Sequence, residues 1–392
     1  MILVLPHLRG QLLHPLKFFR CRSILTKLPD TGQWSAFYSL AESHSNMAQH
    51  RQQSRTNSNK AGLKSRDAQI PRPSASLVII NDKDEILLVQ RTMKASAFAG
   101  VTVFPGGNYD SKQDSSIRMT AIRETFEESG LLIARPTSSS SKMPSDSILD
   151  KARHDIHSNK LLFKSFLEEH GLEADVESLM PFTEWITPRG APRRFHARFF
   201  VTFLPAASST GFKSGDKQER LPTAGTQPLK NALAFRSNAN FFISFLPPSP
   251  DGGQEVVTAR FLHPSAAFSE FQAGKITFMP PQYYILTTIS QILSTYNDRD
   301  TQREKIRQLS DGLFGKMVIN PRRLDGGTDG PGVLTYEGDE TRGGKKGRLH
   351  RSEVLVGKGG ITSKIILHRN FDIFTEIEGH LFNKEETEKA KL

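Results

Sequence analysis

Three glutamates stand at helical spacing in residues 123–131, Arg-Glu-Thr-Phe-Glu-Glu-Ser-Gly-Leu, and no other feature constrains this chain as tightly. At 100° per residue, with Glu124 at the origin, Glu128 falls at about 40° and Glu127 at about 300°. Met119, Ile122 and Phe126 fall between about 160° and 220°. The spacing therefore predicts a helix over 115–129, with Gly130 past its end as a C-cap. One face docks on a core and the other projects three carboxylates into a cleft. Like charges at i, i+3 and i+4 repel, so something has to offset them. Mg²⁺ or Mn²⁺ would do so, since both take hard oxygen ligands. A solvated acidic face is the plainer reading. A carboxyl raised by its neighbours would also suit general-base chemistry.

What precedes the helix sharpens the choice. Val101 to Phe104 reads as a strand, stopped by Pro105-Gly106-Gly107, a glycine turn able to bring backbone close to phosphate or metal. Ala75 to Ile80 and Ile86 to Gln90 are β-branched runs around Asn81-Asp82-Lys83-Asp84, a predicted hairpin. Thr137 to Ser147 is a Ser-rich loop, and Ala152 to His170 has helical spacing. Phe182 to Thr187, Phe195 to Phe203 and Glu255 to Leu262 read as strands, and Pro281 to Tyr296 as a helix. Residues 205–240, rich in Ser, Gly, Thr and Lys, read as a mobile insertion. Residues 301–392 form a β-rich extension, with strand-like segments 317–319, 333–336, 353–356 and 364–368. This order predicts an α/β fold, a mixed sheet between helices, over residues 75–300.

The formal charge is +11 over 392 residues. Met1 to Pro73 holds eleven Lys or Arg and three acids, a net of +8, leaving +3 for the rest. The basicity belongs to a tail, so no stable nucleic-acid partner is expected. Residues 1–74 have disordered composition, and the first 29 contain no acid, as in a mitochondrial presequence, although Pro6 and Pro15 interrupt it. No apolar run is long enough to span a bilayer as a helix. The single cysteine, Cys21, allows neither an intramolecular disulfide nor a thiolate zinc cluster.

Residues 104–107 and 123–131 together resemble the Nudix hydrolase family. Its box begins with a glycine and ends in R-E-U-x-E-E-x-G-U, where U is bulky and apolar. Thr125 occupies an apolar slot, and Gly107 to Arg123 spans sixteen residues where the family has fourteen. The family's upstream glutamate falls near Ser115, or is approximated by Asp110 or Asp114. The resemblance implies an α/β/α Nudix sandwich. It implies metal ligands at Glu127, Glu128, Glu124 and the Gly107 carbonyl, with Glu124 also a candidate base. Arg123 would hold a helix carboxylate. Glu255 is either the auxiliary glutamate that many members carry or a strand-edge residue.

Further segments resemble the peroxisomal coenzyme A diphosphatase-like branch: Ile86 to Arg91, Phe98 to Phe104, Trp185 to Pro188, Pro192 to Phe195, Arg198 to Phe200 and Pro280 to Tyr283. That likeness implies CoA or acyl-CoA as substrate, cleaved to 3′,5′-ADP and (acyl-)4′-phosphopantetheine. Arg91, Gly106, Arg193, Arg194 and Arg198 are the substrate-binding candidates; the arginines would hold phosphate through bidentate hydrogen bonds, or are surface charges. Relatives often carry an acid where His196 stands, so that position assigns no substrate. Ala390-Lys391-Leu392 is a variant of the tripeptide read by the peroxisomal import receptor. It predicts a peroxisomal location, with the mitochondrion as the alternative. Another nucleotide substrate (an NDP-sugar, a dinucleotide, an RNA cap) or an idle nucleotide- or protein-binding domain are the competing functions.

Overall fold

Both the odd and the even positions of Leu77-Val78-Ile79-Ile80 are apolar, and a strand of that kind needs cover on both faces. A computed structural model supplies that cover. It describes residues 70–95, 98–189, 191, 193–204, 242–243, 256–324, 331–357 and 361–381. The main sheet has eight strands. β1 (Arg72–Ile80) pairs antiparallel with β2 (Ile86–Arg91), and β2 with β3 (Thr102–Val103). At its other end β1 pairs with β4 (Gly106–Asn108), placing Ala75 opposite Gly107. Its far side runs parallel to β8 (Phe195–Phe203), which pairs antiparallel with β7 (Met180–Ile186). β10 (Val256–Leu262) borders β2, and β11 (Val318–Ile319) borders β7 in parallel. β5 (Ile133–Pro136), β6 (Leu172–Ala174) and β9 (Phe242–Ile243) make a separate small sheet.

Leu77 and Ile79 pack with Ile122 and Phe126 of helix α1 (Ile117–Ser129). The same layer takes Leu149 and Ile156 of α2 (Asp146–His157) and Phe163 and Phe166 of α3 (Phe163–Glu169). Val78 and Ile80 face the opposite layer. There they meet Phe271 of α4 (Pro264–Gln272), Tyr284 and Ile289 of α5 (Pro280–Thr295) and Leu309 of α6 (Arg299–Asp311). The result is an α/β/α arrangement around a mixed sheet.

Two local expectations change. The helical spacing over 152–170 is split, because Asn159 adopts φ 56° and the Gln113 side chain both accepts from Phe163 N and donates to Leu161 O. Asparagine tolerates that left-handed conformation. Helix α6 replaces a stretch assigned to β-rich sequence; Asp298 caps it, and Ile306 and Leu309 anchor it. Beyond it, β12 (Arg322–Arg323), β13 (Gly332–Thr335), β14 (His350–Val356) and β15 (Thr362–Arg369) form an antiparallel sheet. Its Tyr336, Val354 and Ile365 enter the same core as Trp185 and Tyr284. His350 lies fully buried there, accepting at Nε2 from Tyr284 and facing the Glu337 carbonyl with Nδ1.

Residues 1–69, 205–241, Glu255 and Ala390-Lys391-Leu392 lie outside the described residues. The expectations for the tail, the insertion and the C-terminal tripeptide fall there.

Candidate active site

Helix α1 begins at Ser116, whose side chain accepts from Met119 N, and stops at Gly130, where φ is 77°. Its apolar face is buried as the spacing required: Ile122 and Phe126 are fully inaccessible. The acidic face is less open than the sequence suggested. Glu127 and Glu128 are 6% and 2% exposed, whereas the Glu124 side chain is 14% exposed. Glu124 and Glu127 line a cleft of about 410 Å³ with Asn108, Tyr109, Asp110 and His157. Glu128 instead accepts from Gly106 N at 2.9 Å and pairs with Arg91 at 3.3 Å.

Carboxylates this buried need partners, and Arg123 supplies most of them. Its Nε and Nη2 bind Asp114 at 2.8 and 2.9 Å. Nη1 binds Glu127 at 2.7 Å and Glu124 at 3.0 Å, and Nη2 also donates to the Asn108 carbonyl at 3.1 Å. Four guanidinium hydrogen bonds and the ion pair to Glu124 thereby tie this group into the cluster. Arg123 thus organises the acids around it. Burial works against its charge, but Asp114, Glu124 and Glu127 outweigh burial and hold its pKa above the ordinary arginine value. Of the two aspartates near the upstream glutamate slot, Asp114 is the one that pairs with Arg123. It also accepts from Thr120 and from Asp110 N, which closes the longer Gly107-to-Arg123 loop into a turn.

The two glycines differ. A Cβ on Gly106 would lie 2.2 Å from the Ala75 carbonyl oxygen and 2.6 Å from Ser76 Cα. The three atoms nearest a Cβ on Gly107 would all belong to the Glu124 carboxyl group, with Cδ at 2.5 Å. The bare Gly107 backbone thus fronts Glu124. Carboxylates at this point are the ligand type a hard divalent cation takes. Among the described residues, no three of His, Cys, Asp and Glu are placed as they stand to hold a metal ion; Arg123, Arg91 and the Gly106 N–H balance the acids.

The remaining candidates disperse. Arg194 is buried and donates to the Thr187 carbonyl at 3.0 Å, a contact that joins the β7–β8 turn. Arg198 lies 3.5 Å from Glu184, whose other oxygen is 2.5 Å from His196. Arg193 is exposed. Sequence reasoning missed Arg153 and His157, which contact the Glu127 backbone carbonyl and carboxylate. Their spacing of four residues was the available signal; what it faced was not.

This sheet and this acid-bearing helix define a Nudix hydrolase, an enzyme class acting on diphosphate bonds and generally using divalent metal ions. Residues 112–237 match the NUDT19 Nudix domain, a match that supports a Nudix hydrolase close to NUDT19. It is similar to acyl-coenzyme A diphosphatase NUDT19 of Xenopus laevis, 23% identical over 347 residues, 72% of this chain and 80% of that protein. It is also similar to putative nudix hydrolase 7 of Caenorhabditis elegans, 24% identical over 225 residues, 56% of this chain and 61% of that one. A crystal structure of a NUDIX hydrolase from Alicyclobacillus acidocaldarius overlaps 55% of this chain and 90% of its own, with TM-score 0.41 and 20% identity. Among the described residues no helix is long and apolar enough to cross a membrane.

Proposed function

We propose that this chain hydrolyses the diphosphate of CoA or acyl-CoA to 3′,5′-ADP and 4′-phosphopantetheine or its acyl form, with Mg²⁺ or Mn²⁺. The observation carrying the hydrolase part is the Arg123-centred cluster of Glu124 and Glu127, with Glu124 facing the bare Gly107 backbone. The frog relative named acyl-coenzyme A diphosphatase supports the substrate class. Glu124, Glu127, Glu128 and the Gly107 carbonyl are the residues that would hold the ion. When bound, it would neutralise diphosphate charge and ease deprotonation of water.

The protein's own groups do the rest. Arg123 fixes the orientation of Glu124 and Glu127, so those carboxylates need little rearrangement when substrate arrives. Glu124, more exposed than Glu127 or Glu128, is the candidate to accept a proton from water in the cleft. Glu128 ties Gly106 to the helix and so fixes the turn carrying Gly107. Arg91, Arg193 and Arg198 are the candidates for substrate phosphate, and Glu255 for an auxiliary carboxylate.

Purified protein assayed against CoA, acyl-CoAs, NADH, ADP-ribose and capped RNA tests this reading. The expected result is highest kcat/KM for CoA or an acyl-CoA, with 3′,5′-ADP released. Preference for another nucleotide would redirect the substrate, and inactivity on all would favour an idle binding domain. Peroxisomal placement through Ala390-Lys391-Leu392 and the import receptor belongs to the same proposal. Removing Leu392 from an N-terminally tagged chain should disperse its puncta; puncta that persist would contradict it.

A further inference from the structure

Glu127 is held at three points by two elements. Its Oε1 accepts from Arg123 at 2.7 Å, within its own helix. Its Oε2 lies 3.1 Å from His157 Nδ1, and its backbone carbonyl accepts from Arg153 Nε at 2.6 Å. Residues 153 and 157 are four apart and share one face of α2. Helix α2 therefore grips Glu127 at the backbone and at the tip of the side chain.

The grip is braced. After α2 the chain turns at Asn159, φ 56°, and the Gln113 side chain donates to both the Asn159 side chain and the Leu161 carbonyl. Gln113 belongs to the loop that closes on Asp110 and Asp114, so that loop and the end of α2 form one wall of the cleft. The His157 side chain, 26% exposed, stands in that wall beside Glu127.

We propose that His157 is a positioning residue: it fixes the outer oxygen of Glu127, so that the carboxylate presents one orientation to a divalent cation. This rests on the hydrolase reading above. His157 acts through Glu127 and touches no reacting atom. A carboxylate held at one oxygen alone still rotates about its last bond, and holding the second oxygen removes that freedom. The amide nitrogen of Asn lies at about the same reach from the backbone as imidazole Nδ1. Asparagine should therefore keep the contact, while Ala and Phe cannot make it.

The test titrates Mn²⁺ alone into the full chain, followed by electron paramagnetic resonance, for wild type and His157→Ala, His157→Phe and His157→Asn. Exposed His154→Asn, on the same helix, is the control. The Ala and Phe variants should bind Mn²⁺ about 10–100-fold more weakly. Their kcat should fall in proportion at fixed Mn²⁺, while KM for CoA stays within about threefold. The Asn variant should recover most of the loss, and the control should match wild type. Wild-type Mn²⁺ affinity in a folded Ala or Phe variant would overturn the proposal, as would an Asn variant no better than these. If the wild-type chain neither binds Mn²⁺ nor hydrolyses CoA, the hydrolase reading itself falls and takes this inference with it. A wild type that does both, alongside indifferent variants, defeats the inference alone.

Discussion

Replacing Gly107 by Ala separates damage to the site from damage to the fold. The added Cβ would start 2.5 Å from the Glu124 carboxyl carbon, and ordinary contact begins at 3.4 Å. Glu124 must therefore retreat by about 0.9 Å, and because the nearest atoms are its carboxylate end, the side chain can give way. That retreat strains its 3.0 Å pairing with Arg123 and moves the acid off the Gly107 backbone. A misplacement of about 1 Å costs on the order of 100-fold in rate, or about 2.7 kcal/mol of barrier. Gly106→Ala is the contrast, because its Cβ would strike the backbone of β1 at 2.2 and 2.6 Å, which cannot move aside. Gly107→Ala should therefore melt within a few degrees of wild type and lose about 100-fold in kcat, whereas Gly106→Ala should fail to fold or melt far lower. The assay is CoA hydrolysis at saturating Mg²⁺ beside thermal melting of each variant. Near wild-type turnover in Gly107→Ala would refute the reasoning, and so would equal loss of folding in both.

Glu128→Gln keeps an acceptor for Gly106 N but loses the charge facing Arg91, so kcat should fall by more than about 100-fold with little change in melting; steady-state kinetics decide, and a near-normal kcat removes Glu128 from the ion site. Acid should destabilise the protein through His350, whose pKa burial pushes down to about 3. The unfolded chain takes up the proton first, near pH 6.5, so this contribution is intact above that pH. It is lost as the pH falls toward 3, by at most about 1.4 kcal/mol per unit. Urea unfolding of wild type and His350→Asn at about pH 7.5 and 5 should differ by about 2 kcal/mol in pH response; equal responses would exclude His350 as the source.

The local sequence determined the elements whose pattern is local. Ile122 and Phe126 set which face of α1 is buried, Gly130 set where the helix ends, and Asn81 to Asp84 set the hairpin. Those follow from side-chain period and backbone freedom, which a single segment carries. The split between Asn159 and Phe163 was hidden because its cause, Gln113, lies 46 to 50 residues upstream. Helix α6 was missed because its apolar positions are few and only a core shared with Tyr284 and Phe314 makes them decisive. In the site, the helical spacing of the three glutamates could be read from the sequence, whereas Gly107 was singled out by the family resemblance alone. That Asp114 would take Arg123, that Glu128 would be buried on Gly106, and that His157 would reach Glu127 were decided by tertiary structure. Each depends on a partner brought across from another element, and a buried charge finds its partner only once the chain has closed around it.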